Sequence, residues 1–303
     1  MSKLLITLVG PTAVGKTSLS LYLAKELQAA ILSADSRQFY QDLNIGTAKP
    51  TKEEQAQAPH YFIDSLAPTQ TYNAAQYQRE AEVLMQELFD IHDVLIMVGG
   101  STLYMDAVWY QMDAIPEVPS AIREQLQDQW KQVGLAPLIE ELAAVDPSTY
   151  EVIDRQNPAR VIRALEVYRA SGIPISTFRK GKKPRKTAYK VLKIGLYDDR
   201  EALYERINQR VWDMIENGLV EEVKGLLAKG YSPTLQSLNT IGYQEIIPYL
   251  QGQYDLDEAI RLVQRNSRRY AKRQLTYYRR YEDITWFKAG DREGVSKWVL
   301  PQL

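Results

Sequence analysis

Lys16 and Thr17 close the run Gly10-Pro11-Thr12-Ala13-Val14-Gly15-Lys16-Thr17. That spacing lets a glycine-pinned backbone turn its N–H groups onto an anion. Lys16 would place a point charge on an outer phosphate. The Thr17 hydroxyl suits Mg²⁺, which takes few protein ligands and keeps several waters. The ligand class is therefore a diphosphate or triphosphate; whether it is a nucleotide such as ATP the loop does not say. Asp35, followed by Ser36, ends a short apolar run, and its carboxylate fits a Mg²⁺ ligand, a general base or a helix cap for Arg37 onward. A place at a strand end beside a phosphate loop favours a chemical role. Ser101 and Thr102 follow Gly99-Gly100 and either bind phosphate or form the turn. Arg206 and Arg210, four apart, share one helix face, as ligands or as solvated charges.

A phosphate loop works only between a buried strand and a helix start, whose unpaired N–H groups add the positive end of a dipole. Leu4 to Val9 supplies the strand, and Leu19, Leu23 and Leu27 give the helix an apolar side. Ala30 to Ser33 and Val94 to Val98 read as further buried strands; the second is continuously apolar, as in a parallel sheet covered on both faces. Tyr61 to Asp64 is expected as a brief strand. Asn73 caps a helix running to about Ile91, and Tyr189 to Tyr197 alternates into another core strand. Helices follow from Arg200 to Asn217 and from Leu256 to Tyr281. Composition shifts at Ile115-Pro116-Glu117-Val118-Pro119, and from Ser120 to Gly172 the pattern is helical, Asn157 and Pro158 opening its last helix. The expected architecture is α/β: a P-loop-type parallel sheet flanked by helices (1–114 and 187–303), with a helical insertion at 115–186. Arg179 to Lys186 is expected to be a mobile basic linker.

Composition narrows the function classes. Zero cysteines exclude disulfides, thiol catalysis and Cys-based zinc, and His60 and His92 are too few for a histidine metal cluster. No run approaches the roughly 20 apolar residues of a membrane span, and nothing resembles a signal peptide before the first strand. The expectation is a cytoplasmic monomer with no membrane partner. Net charge is −1, yet Arg261 to Tyr281 holds eight Lys or Arg and no acid. Tyr270, Tyr277, Tyr278 and Tyr281 interleave with them, a composition that favours phosphate contacts and base stacking over a merely solvated helix. Two classes stay open on these residues. One is a P-loop small-molecule kinase or NTPase using ATP; the other is a transferase that holds a different diphosphate and acts on nucleic acid.

The full string of motifs is more specific. Gly10 to Thr17, Asp35-Ser36-Arg37-Gln38-Phe39-Tyr40, Ile45-Gly46-Thr47-Ala48-Lys49-Pro50, His60-Tyr61-Phe62-Ile63-Asp64, Val98 to Tyr104 and Ile241-Gly242-Tyr243 resemble, in order and spacing, the bacterial tRNA dimethylallyltransferase (tRNA isopentenyltransferase) family. The resemblance implies transfer of a dimethylallyl group from dimethylallyl diphosphate to N6 of adenosine 37, beside the anticodon. It implies a loop that holds a leaving diphosphate with Mg²⁺, through the N–H groups from Thr12 to Thr17 and Lys16, and Arg210 as a further diphosphate contact. It implies Asp35 as the base on the adenine amine, with Ser36, Arg37 and Gln38 lining a flipped-out base. It assigns tRNA contacts to Ser101, to Arg123, to Ala159-Arg160-Val161-Ile162-Arg163 in a tRNA-gripping insertion, and to Asn239-Thr240-Ile241-Gly242-Tyr243-Gln244. The chain departs from the pattern at Ser101, where the family usually has Thr. It departs again at Asn239 and Gln244, neutral where a basic neighbour is usual.

Overall fold

Leu4–Val9 forms β1, buried along its whole length because it lies at the centre of a sheet with helices on either side. The structure is a computed structural model that describes residues 3–303. After β1 come α1 (Lys16–Leu27), β2 (Ala30–Ser33), the single turn α2 (Lys52–Gln55) and the two-residue β3 (His60–Tyr61). Next are α3 (Ala74–Ile91), β4 (Val94–Val98) and α4 (Thr102–Trp109). Five helices follow: α5 (Ser120–Val133), α6 (Ala136–Val145), α7 (Pro147–Val152), α8 (Pro158–Ser171) and α9 (Ile175–Phe178). The chain then forms β5 (Lys190–Tyr197), α10 (Arg200–Glu216), α11 (Leu219–Ala228), α12 (Tyr243–Leu250) and α13 (Leu256–Tyr278), and closes with β6 (Thr285–Lys288) and α14 (Arg292–Val299). Contacts divide it into two units, residues up to Trp109 with Lys186–Leu303, and Tyr110–Arg185.

The larger unit is a doubly covered sheet in the order β3-β2-β4-β1-β5-β6, every pair parallel. Parallel strands need crossovers, so the strand ends that share one edge of the sheet are those followed by loops and helix starts. The phosphate loop after β1, the Asp35 turn after β2 and the Ser101 turn after β4 therefore share that edge. Leu19 and Leu23 of α1 pack with Ile6, Leu8, Ile194 and Leu196. Asn73 caps α3 with a capping box, its Oδ1 accepting the N–H groups of Ala75 and Gln76. A second cluster, around Tyr40, Leu43, Leu219, Val223, Tyr243 and Ile246, lies under the Ile45–Pro50 segment. Among the described residues no helix is long and apolar enough to cross a membrane.

The smaller unit has its own core of Leu126, Leu138, Leu142, Val161, Ile162, Leu165 and Val167. It opens at Tyr110, five residues before the shift read from composition, because Tyr110 bridges antiparallel to Pro184. That pairing also corrects the expectation of a free basic linker. Gln111 donates to the Lys183 carbonyl at 2.9 Å, and the Lys182 ammonium sits 5.5 Å from the Tyr110 ring centre. Two further expectations change. The strand expected over Tyr61–Asp64 stops at Tyr61, since Phe62 and Asp64 adopt left-handed φ values of 60° and 52°. The helix expected over Leu256–Tyr281 ends at Tyr278, followed by an edge strand and a further helix the sequence did not announce.

Candidate active site

The phosphate loop leaves β1 at Gly10 and enters α1 at Gly15, the N-cap, whose φ of 97° is one that L side chains rarely adopt. Lys16 folds back over the loop and donates to the carbonyls of Gly10 at 3.0 Å and Pro11 at 2.7 Å. Burial, and then the Arg210 guanidinium, lower its pKa to about 7, against an opposing pull from Asp35. Arg210 lies on α10, which is anchored by the buried Leu203, Ile207 and Val211, and its Nη1 donates to Thr12 Oγ1 at 3.1 Å. Burial lowers the Arg210 pKa too, and Asp35 is again the opposing charge. Arg206 reaches the loop from one turn earlier, with Nε on the Ala13 carbonyl at 3.2 Å and an ion pair to Asp198. The expected donor set changes at one position. The Thr12 N–H is already held by Gln274 Oε1 at 2.9 Å, so the free loop donors begin at Ala13.

Asp35 is half-buried just beyond β2, and no helix follows it, so the helix-cap reading gives way to a turn. Its Oδ1 accepts the Arg37 N–H at 3.0 Å within that turn, and it stands in the field of both Lys16 and Arg210. Ser101 binds the same turn from the end of β4. Its Oγ accepts the Ser36 N–H at 2.9 Å and donates to Ser36 Oγ at 3.0 Å. Gln38 is fully engaged: Oε1 accepts from Ser33 Oγ at 3.0 Å, and Nε2 donates to the Ala48 carbonyl at 3.1 Å. It therefore holds the Ile45–Pro50 segment in place. Arg37 points the other way and donates to the carbonyls of Gln236 at 2.7 Å and Asn239 at 3.2 Å.

That link ties the Asp35 turn to the Asn239–Gln244 stretch, where the structure separates contact residues from core residues. Tyr243 is fully buried; its hydroxyl donates to Glu222 at 2.6 Å, and a Cβ on Gly46 would stand 2.4 Å from its ring. Gly242 is buried as well, and Ile241 packs against Val211. The expected contacts of Gly242 and Tyr243 with tRNA are thus replaced by packing. Asn239 and Gln244 stay exposed and bond to each other, with Thr240 half-buried between them.

In the smaller unit Val161 and Ile162 belong to the core, so of the stretch 159–163 only Ala159, Arg160 and Arg163 reach the surface. Arg123 and Arg163 both pair with Glu166, which is fully buried. Burial pushes the Glu166 carboxyl up, but the hydrogen bonds from Arg123 and Arg163 outweigh it and hold the pKa below the usual glutamate value. The stacking platform expected on α13 is also corrected. Tyr278 is buried, Tyr270 donates to the Gly100 carbonyl at 3.3 Å, and Tyr277 and Tyr281 both donate to the buried Asp106. The rings of Tyr270 and Tyr277 face inward because positions 270, 274 and 277 fall on one side of α13, and Tyr281 joins them from the turn beyond its end.

Sequence reasoning missed Gln274 and Glu222. The i, i+4, i+7 series just named was the available signal for Gln274. Glu222 had none: it accepts the N–H groups of Asn44, Ile45 and Gly46 at 3.0, 2.8 and 3.1 Å from a helix 176 residues further on. A cleft of about 320 Å³ borders the loop's outer side between Gly15, Leu196, Arg206 and Arg292. Asp35, Ser101 and Arg210 do not line it, so it is separate from the charged centre.

Comparison with known proteins gives this geometry a context. A family model described as IPP transferase matches residues 38–281. The chain is 44% identical to a tRNA dimethylallyltransferase of Cytophaga hutchinsonii, over 100% of this chain and 98% of that protein. It is 45% identical to tRNA dimethylallyltransferase 1 of Bacteroides fragilis, over 100% and 99%. Among solved structures, the full-length tRNA isopentenylpyrophosphate transferase of Bacillus halodurans superposes with a TM-score of 0.73 at 37% identity, covering 100% of this chain and 97% of that one.

Proposed function

The chain belongs to the IPP transferase family, and from that premise we propose that it is a tRNA-modifying prenyltransferase that moves a dimethylallyl group from dimethylallyl diphosphate to N6 of adenosine 37 and releases diphosphate. One observation carries the chemical part: Asp35 lies in the field of two half-buried cations, Lys16 of the phosphate loop and Arg210, which reaches that loop from α10. A carboxylate and an anion cradle side by side are what a displacement at an allylic carbon needs. The relatives do not favour the kinase alternative.

Ionising an allylic C–O bond gives a delocalised cation, so the main demand is on the departing oxygen. Lys16, the N–H groups from Ala13 to Thr17, and Arg210 are preorganised to receive that charge. Among the described residues no group of three His, Cys, Asp or Glu is placed to hold a metal. Mg²⁺ would therefore rest on the half-buried Thr17 hydroxyl, with diphosphate oxygens and water completing its shell, which is the ligand set this ion tolerates. When bound, it supplies further charge to the leaving group. On the acceptor side the adenine amine has its lone pair drawn into the ring. Asp35 accepts its proton as the C–N bond forms, in a turn that Ser101 and Ser36 hold still.

Arg160 and the amides of Asn239 and Gln244 are the exposed groups assigned to tRNA, with Arg123 and Arg163 contributing the edges that Glu166 leaves open. The proposed setting is the cytoplasm and the proposed acting species a monomer. Incubation with labelled dimethylallyl diphosphate, unfractionated tRNA and Mg²⁺ is expected to label the tRNA, while a parallel ATP control releases no ADP. Label-free tRNA together with ADP formation overturns the reading.

A further inference from the structure

Gln274 lies on the inner face of α13, 2% exposed, and uses both ends of its amide. Its Oε1 accepts the Thr12 N–H of the phosphate loop at 2.9 Å, and its Nε2 donates to the Gly100 carbonyl, 174 residues away in the chain, also at 2.9 Å. Space is constrained as tightly as hydrogen bonding. A Cβ on residue 100 would stand 2.3 Å from Nε2, so a side chain there and the bridge exclude each other. Past Gly100 the chain runs into Ser101, whose Oγ holds Ser36 beside Asp35. From the other end, Thr12 Oγ1 holds Arg210. A continuous series of bonds thus joins the loop that faces the diphosphate to the carboxylate that faces the adenine, and Gln274 is the link at its middle.

We propose that Gln274 is a positioning residue for the transfer reaction, setting the separation of the donor loop and the acceptor carboxylate. This rests on the prenyl-transfer reading above. The two substrates meet at a forming C–N bond, and a misplacement of about 1 Å costs roughly a hundredfold in rate. The link requires a donor and an acceptor on one planar group, which an amide offers and an ionised carboxylate does not. A glutamate at this position would keep the bond to the Thr12 N–H but turn a lone pair onto the Gly100 carbonyl. Its neutral acid form would donate there again.

The test measures kcat and both KM values for wild type, Gln274→Met and Gln274→Glu from pH 5.5 to 8.5. Labelled dimethylallyl diphosphate and tRNA serve as substrates, with thermal melting as a control. The expected result is a fall in kcat of about 10- to 100-fold for Gln274→Met at every pH, with both KM values within about threefold of wild type. Gln274→Glu is expected to be as slow at pH 8.5 and to recover relative to wild type as pH falls, a rescue that a packing role alone does not produce. A folded Gln274→Met protein with at least half the wild-type kcat overturns the inference. Should that variant melt below the assay temperature, a Gln274→Glu protein with a kcat ratio to wild type that stays near one at pH 8.5 overturns it instead. Absence of transfer by the wild type refutes the functional reading itself, which keeps the two failures apart.

Discussion

The phosphate loop is built from eight consecutive residues and only buttressed from afar, by Gln274, Arg206 and Arg210, whereas the wall that carries Asp35 takes its shape from residues scattered between Ser33 and Tyr243. In the loop, glycine conformation, the strand before and the helix after are all local, and Lys16 completes the cradle by bonding carbonyls five and six residues back. In the wall, Ser101 fixes Ser36 from 65 residues away and Arg37 reaches Gln236 across 199. Glu222 gathers three consecutive N–H groups of the 44–46 turn, together with the Tyr243 hydroxyl. The loop is a piece of backbone that can be carried from one fold to another. The wall exists only once the whole sheet edge has assembled. Anion binding can therefore be inherited with a short motif, while the choice of acceptor is a property of the finished fold.

Four substitutions or titrations test that contrast, from the largest effect down. Asp35→Asn removes the base from the wall and leaves every loop residue in place, and is expected to lower kcat by about 10²–10⁴-fold. Both KM values should stay near wild type, and steady-state kinetics with each substrate varied in turn would show a loss in KM instead if Asp35 only binds. Lys16→Ala strikes the loop and is expected to cost about 10²–10³ in kcat/KM for the diphosphate substrate. Titration calorimetry with inorganic diphosphate should register the same weakening without any tRNA present. Wild-type diphosphate affinity in that variant would break the assignment of the loop.

Glu222→Gln tests the wall's dependence on distant contacts. One end of the amide becomes a donor facing N–H groups, and the expected loss of stability is about 1–3 kcal/mol, read from chemical denaturation. Diphosphate binding should be untouched, since the loop needs nothing from Glu222. The smallest effect is a titration. With its pKa at about 7, Lys16 is charged below that pH and neutral above it, and the charged form is the one that attracts diphosphate. Donor kcat/KM, which reports the free enzyme, is expected to fall by up to about tenfold per pH unit above 7. A flat profile from pH 6 to 9 would show that the bound carbonyls, and not burial, control this lysine.

The same division explains what could be read beforehand. The strand–loop–helix at Leu4 to Leu27, the Asn73 cap and the Pro158 helix start were legible because each is a local code: an apolar run, a side chain that accepts N–H groups, a ring that presets φ. The roles of Tyr243, Val161 and Ile162 were not, because a motif position shared with a family says that a segment matters and not which way each side chain points. The α13 tyrosines show the same limit. Alternating cations and rings fit a nucleic-acid surface by composition, yet the helix turned the rings onto Asp106 and Gly100. Strand β6 went unread because four residues on an edge, paired on one side only, carry too little periodicity to stand out.

The placement of β1 has a consequence for how the chain is born. Its two neighbours in the sheet are β4, which is made early, and β5, which is made only after the whole Tyr110–Arg185 unit has been synthesised. At about 5–20 residues per second, one flank of Leu4–Val9 stays unpaired for several seconds on the ribosome. An open apolar edge of that kind is a template for sticking to other nascent chains. The helical unit, with a core of its own, has what it needs to fold during the same interval. Slow translation through residues 110–189 should accordingly lower the soluble yield, and chaperone capture should peak for ribosome-stalled chains that end just short of Lys190.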